Sequence, residues 1–168
     1  MQCSGEFTAA LLVNMMNLLF VFILALMDRV FKVLAERFLA SGETVVLIPK
    51  VIGLRLLQGG NTGAAFGILS GKTGLLAAIS LIFSVGLVYV LVKKKFKNDW
   101  VCRAFILIAA GAIGNLYDRL FIGSVTDYLM FLFMDFPIFN FADCLVDVGV
   151  AILVIYLFTS KEESLFEE

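Results

Sequence analysis

Two aspartates, Asp127 and Asp143, stand sixteen positions apart in Ser124-Val-Thr-Asp-Tyr-Leu-Met-Phe-Leu-Phe-Met-Asp-Phe-Pro-Ile-Phe-Asn-Phe-Ala-Asp143, a stretch dominated by apolar side chains. Moving a carboxylate toward hydrocarbon costs several kcal/mol unless it is paired, hydrated or protonated, so acids in such surroundings are functional candidates. Taken singly, each could be an interfacial charge facing water; as a pair they explain more. Two carboxyls about 3 Å apart cannot both ionise easily and so share a proton, one then activating water while the other donates to a carbonyl oxygen. That chemistry hydrolyses a peptide bond without serine, cysteine or histidine.

The rest of the composition narrows the setting. Of 168 residues, 61% are hydrophobic and 16% charged, with a mean hydropathy of +1.01, which exceeds what one small soluble core hides. The chain reads as an integral membrane protein. A net charge of −1 carries no polybasic signature, which argues against nucleic acid and for a lipidic or membrane-bound partner. The absence of histidine removes His-based triads and His-ligated metals, and the dispersed Cys3, Cys102 and Cys144 suggest neither a zinc knot nor a disulfide framework. No metal or cofactor is expected, and the cysteines are expected to be free thiols.

The elements that must hold the two acids follow from hydropathy. Apolar runs at about 9–27, 73–92, 101–116 and 145–159 predict four transmembrane helices in one membrane domain spanning 1–168. The first run lacks a basic leader and is followed by Asp28-Arg29 instead of a small-residue cleavage site, so it reads as a retained span. Lys93-Lys94-Lys95-Phe96-Lys97 with Arg103 marks the loop at about 93–100 as cytoplasmic. Both termini are then cytoplasmic, and the segments at about 29–72 and 117–143 face outward.

In the first outward segment the helix is expected to continue to Leu39 and to break at Ser41-Gly42, with Asp28 and Lys32 on one face at i, i+4. Thr44–Ile48 and Val51–Leu57 then read as short strands of a small extracytoplasmic sheet. In the second, Phe131, Phe133, Phe136, Phe139 and Phe141 alternate with Met130 and Met134 around Asp135 and Pro137, a poor spanning helix. It is expected to lie in the membrane interface, holding Asp127 and Asp143 near the outer surface.

Two further motifs carry polar groups. Asn61-Thr-Gly-Ala-Ala-Phe-Gly67 is either a loop that lets backbone approach a ligand or an ordinary turn before the second span. Gly111-Ala-Ile-Gly-Asn-Leu-Tyr-Asp-Arg119 offers small residues for close helix packing, and a snorkelling Arg119 would leave Asn115 and Asp118 without a role. Arg119 is expected to pair with a carboxylate and orient it.

Asp28-x-x-x-Lys32, Asn61-Thr-Gly-Ala-Ala-Phe-Gly67, Gly-Asn-Leu-Tyr-Asp-Arg119, Val125-Thr-Asp127 and Phe139-Asn-Phe-Ala-Asp143 occur in an order that resembles the lipoprotein signal peptidase (signal peptidase II) family. The resemblance covers about 28–143. It implies a mostly α, polytopic fold of four transmembrane helices with a small extracytoplasmic β-cradle. It also implies aspartic cleavage of bacterial prolipoproteins just before a diacylglyceryl-modified cysteine, by a monomer in the bacterial cytoplasmic (inner) membrane, with membrane lipid as a further partner. By position, Asp127 and Asp143 match the family's catalytic dyad, and Asp28, Lys32, Asn61, Gly63, Asn115, Asp118, Arg119 and Asn140 match its supporting positions. Asn140 and Arg119 would fix the dyad, and Asn61 would meet substrate backbone or bound ligand.

The sequence departs from the family pattern at Ala110-Gly111, where a glycine pair is common, at Tyr128, where phenylalanine is common, and at Asp147, where the family is usually uncharged. Asp147 lies one helical turn beyond Asp143, either as a protonated structural acid or as a charge acting on the dyad. Two rival classes remain. A transporter or channel subunit would spread acids through the spans, whereas all but Asp147 gather at their outer ends. A serine–lysine peptidase using Ser70 or Ser124 with Lys72 lacks a motif that brings amine to hydroxyl.

Overall fold

Four helices carry the chain across its apolar runs. The computed structural model describes residues 2–39, 42–64, 68–93, 95–160 and 164–166, with side chains from Leu11 onward. Ser41 of the expected helix break, Ala65, Phe66 and Gly67 of the heptapeptide, Lys94 of the basic loop and the Cys3 side chain lie outside the described residues. The helices are α1 (Gln2–Phe38), α2 (Thr73–Lys93), α3 (Asp99–Phe121) and α4 (Phe141–Thr159). Each is long and apolar enough to cross a membrane. Their outer faces are greasy, with Phe22, Ile82 and Phe158 all exposed, as lipid-facing surface requires.

The third helix is the hub of the bundle. It packs against all three others, and its small residues make that possible. A Cβ on Gly111 would collide with the Ala142 carbonyl oxygen of α4, and one on Gly114 would lie 2.6 Å from Asp28 Oδ2 of α1. Gly149 of α4 answers from the other side, where a Cβ would come within 2.8 Å of the Ala104 carbonyl. Without a hydrophobic force between helices in lipid, such close backbone approach supplies the packing contact. Val21, Leu87, Leu91, Ile108 and Leu145 complete the core where the helices meet.

The small sheet differs from the one expected from sequence. Strands β1 (Val45–Ile48) and β2 (Ile52–Leu54) form an antiparallel hairpin turned at Lys50, whose φ is 62°. A third strand, β3 (Leu129–Phe131), pairs antiparallel with β2 and comes from the phenylalanine-rich segment. That segment then doubles back, Leu129 and Phe139 exchanging backbone hydrogen bonds at 2.7 and 2.9 Å. The reason is backbone satisfaction: an unpaired stretch against hydrocarbon would leave its N–H and C=O groups orphaned, and the edge of β2 pairs them. The rings of Phe131, Phe133, Phe136 and Phe139 stack among themselves with centroids 5.0 to 5.5 Å from that of Phe131.

The second expected strand is shorter than its apolar run because its end pairs elsewhere. Arg55 N and Leu57 N donate to the carbonyls of Tyr128 and Asp127 at 2.9 and 3.0 Å, and Asn61 and Val125 exchange bonds at 2.7 and 2.9 Å. The two outward segments are thus zipped together, and the zipper runs directly along Asp127.

Candidate active site

Asp127 comes from the loop between α3 and β3 and Asp143 from the first turn of α4. Asn140 joins them. As N-cap of α4 it accepts from Asp143 N at 3.0 Å, while its own backbone N–H donates to Asp143 Oδ2 at 3.1 Å, a reciprocal capping box. Its side-chain amide then donates to Asp127 Oδ1 at 2.6 Å and to Asn115 Oδ1 at 3.2 Å. The remaining oxygens are also held: Asn61 Nδ2 donates to Asp127 Oδ2 at 2.9 Å, and Asn115 Nδ2 to Asp143 Oδ1 at 2.7 Å. Three asparagine side chains and one backbone amide therefore fix both carboxyls.

Behind this layer lies a buried ionic cluster. Lys32, fully buried, places its ammonium 2.7 Å from Asp28 Oδ2 and 3.0 Å from Asp118 Oδ2, and donates to Asn115 Oδ1 at 2.9 Å. Each acid of the cluster also grips the backbone just before a candidate catalytic residue. Asp118 Oδ2 accepts from Thr126 N at 3.1 Å, and Asp28 Oδ1 from Ala142 N at 2.9 Å. The cluster therefore aligns both carboxyls from behind while touching neither.

Sequence reasoning missed three members of this support. Arg29 pairs with Asp118 at 3.5 Å and with Glu36 at 3.7 Å, and Thr126 Oγ1 donates to Glu36 Oε1 at 2.8 Å. The 28, 32, 36 spacing on one face of α1 was the available signal for Glu36.

Two supporting residues are engaged otherwise than expected. Arg119 forms no ion pair among the described residues; its Nη1 and Nη2 reach the backbone carbonyls of Asn115 and Gly63, both at 3.4 Å. Lys32 and Arg29 already occupy Asp118, and asparagine donors occupy Asp127 and Asp143. Asn61 is likewise committed, because Gly63 N donates to its Oδ1 at 2.9 Å and so turns its amide toward Asp127. Its amide thus holds one acid of the pair from a place on the cavity wall. Lys72 is exposed and Ser70 meets Thr62 at 3.3 Å, so a serine–lysine arrangement finds no support.

A cavity of about 1010 Å³ opens on these groups. Asp127, Asp143, Asn61, Asn115 and Arg119 form its polar wall, and Phe83, Phe131, Phe136 and Phe139 much of the apolar remainder. Burial pushes Asp127 up to about 6, the negative charge of Asp143 adds to the rise, and the amides of Asn61 and Asn140 pull against it. The cavity has room for water, an acid on its wall keeps its proton to a higher pH than a free carboxyl does, and a second acid stands across Asn140. This is the equipment for acid–base hydrolysis.

The raised value of Asp127 has a consequence for stability. The native state keeps this proton at pH values where the unfolded chain, at 3.8, has lost it. Stability therefore falls as pH rises from about 4 to about 6, by up to about 3 kcal/mol, and levels off above that window. Unfolding of the detergent-solubilised protein across pH 4 to 7 should show this decline, and Asp127→Asn should show a shallower one. Equal slopes in the two proteins would exclude Asp127 as its source.

A family model described as signal peptidase (SPase) II matches residues 20–159. A lipoprotein signal peptidase of Desulfitobacterium hafniense is 44% identical over 131 residues, covering 77% of this chain and 84% of that protein. Those of Enterococcus faecalis and Pseudomonas aeruginosa are 40% and 35% identical, over 81% of this chain and 83% of theirs. A bacterial membrane enzyme solved by the in meso method superposes with a TM-score of 0.78 at 32% identity, over 89% of this chain and 93% of that one.

Proposed function

Because the chain belongs to the signal peptidase II family, a family of membrane peptidases that process prolipoproteins, we propose that it cleaves them just before a diacylglyceryl-modified cysteine, with Asp127 and Asp143 as its catalytic dyad. The observation that carries this reading is Asn140, whose side chain holds Asp127 at 2.6 Å and whose backbone holds Asp143 at 3.1 Å at the wall of one cavity.

In the reaction, one carboxyl is ionised and takes a proton from a water molecule in the cavity. The hydroxide so formed attacks the scissile carbonyl carbon while the protonated partner donates to the carbonyl oxygen. Collapse of the tetrahedral intermediate breaks the C–N bond, with the proton held by the dyad passing to the leaving amine. The dyad titrates as a unit, so its two apparent values belong to the pair. The donors of Asn61, Asn115 and Asn140 cost no reorganisation during these steps, because they are already bonded.

The phenylalanine-lined half of the cavity suits the substrate's acyl chains. Anchoring them fixes the scissile bond at the height of the dyad and replaces a slow encounter with a positioned one. In the bacterial inner membrane, spans at about 9–27, 73–92, 101–116 and 145–159, with both termini and the 93–100 loop cytoplasmic, would put the sheet and the dyad at the extracytoplasmic surface. The chain acts as a monomer in this reading, since one copy supplies both acids.

The test compares a lipidated prolipoprotein peptide with the same peptide lacking its lipid, using the purified protein in detergent. Cleavage of the unlipidated peptide is expected to be at least about 100-fold slower in kcat/KM, as loss of remote binding energy requires. Equal rates would sink the lipid-positioning mechanism.

A further inference from the structure

The cavity does not end at the dyad. Along α4 it continues from Asp143 past Val146 to Asp147, away from the sheet and into the span. Asp147 is exposed on this wall and bonds no described residue, unlike Asp127 and Asp143, each held by two donors. Ser80 and Phe83 of α2 and Ala112 of α3 line the same cavity. Ser80 lies seven residues into α2 and Asp147 six into α4, comparable depths of roughly 10 Å at 1.5 Å per residue. The deep end of the cavity is therefore apolar except for a carboxyl and a hydroxyl.

A carboxyl in a membrane-spanning helix is costly unless something answers it. No side chain of the described protein does, which leaves water or the substrate. On the proposed function, which this inference deepens, the signal-peptide side of the substrate is the part that runs into the membrane. One helical turn from Asp143 to Asp147 is about 5.4 Å, and an extended substrate advances about 3.3 Å per residue, so Asp147 lies about two residues beyond the scissile bond.

We propose that Asp147 is a specificity-determining residue that receives the side chain about two residues on the signal-peptide side of the cleaved bond and favours one carrying a hydrogen-bond donor, such as a hydroxyl. Its carboxyl accepts that hydrogen bond, with Ser80 available as a second partner, and the surrounding Phe83, Ala112 and Val146 limit the side chain's size. An acidic side chain at the same position meets a like charge and is disfavoured.

The experiment uses full-length wild-type protein, Asp147→Leu and Asp147→Asn, all in detergent, with lipidated peptides that place Ser, Leu or Glu at each of the three positions before the scissile bond. Wild type is expected to favour Ser over Leu about ten-fold in kcat/KM at the second position, the scale of one hydrogen bond to a charged acceptor. Glu should be the poorest there. Asp147→Leu should bring the Ser to Leu ratio to about one or invert it, and Asp147→Asn should give an intermediate ratio with an unchanged unfolding midpoint. A ratio that stays at the wild-type value in Asp147→Leu, or a wild type without preference at any of the three positions, overturns the inference and leaves the proposed function standing. Failure of wild type to cleave any lipidated peptide overturns both.

Discussion

Asp127→Asn and Asp143→Asn, made singly, are each expected to lower kcat by about four orders of magnitude on a lipidated substrate, with the protein still folded. The size follows from the chemistry: removing one member of a pair that acts as a unit forfeits both activation of water and protonation of the carbonyl oxygen. An asparagine at either position cannot exchange the proton. The substitutions preserve shape, and an amide oxygen can still accept from one of the donors now serving each carboxylate, which are Asn61 and Asn140 for Asp127 and Asn115 and the Asn140 backbone for Asp143. Single-turnover rates at saturating substrate, read beside a thermal melt, separate lost chemistry from lost fold. Retention of a tenth or more of wild-type kcat by either variant would remove that residue from the mechanism.

The second large effect is on stability. Lys32→Met is expected to cost about 3–5 kcal/mol, because it strips the ammonium from between Asp28 and Asp118 and leaves two buried carboxylates facing each other. Arg29 answers only Asp118, at 3.5 Å. Asn115 loses its lysine partner at the same time, so the hold on Asp143 slackens and activity falls with stability. The double change Lys32→Met with Asp28→Asn should recover part of the loss, since one uncompensated charge is then gone. Denaturation in detergent measures both, and a loss below about 1 kcal/mol for the single change would contradict the role assigned to the cluster.

Much of this site was legible before any coordinates. Hydropathy carries the four helices because an apolar run of membrane length has few alternatives, and the polar blocks at their ends carry the residues that converge. The Asp28 to Lys32 spacing placed the two side chains on one helix face, and there the structure pairs them. Strand β3 was not legible: Leu129–Phe131 is apolar on both faces, so no alternation distinguishes a strand from an interfacial run. Its partner β2 is remote in sequence, and the pairing continues into the zipper from Arg55 to Asn61 that joins the two segments.

Arg119 bonds backbone carbonyls instead of a carboxylate for a related reason. A sequence shows that an arginine stands among acids but not which cation reaches which acid, and here Lys32 and Arg29 take Asp118. Asn61 turned on a single backbone donor, Gly63 N, that fixes its amide and that no residue-level pattern reports. Asp147 stood out in the sequence as an acid out of place, and the structure gives it a cavity to face.

The central claim is that this chain cuts a lipidated precursor at its modified cysteine by means of Asp127 and Asp143. Intact-mass analysis of the lipid-bearing product tests it most directly, with the purified protein, a diacylglyceryl-modified prolipoprotein and the Asp143→Asn variant in parallel. The account predicts one product beginning at the modified cysteine for wild type and uncut precursor for the variant over the same period. A product cut at any other bond, or the same product at a comparable rate from Asp143→Asn, would contradict it.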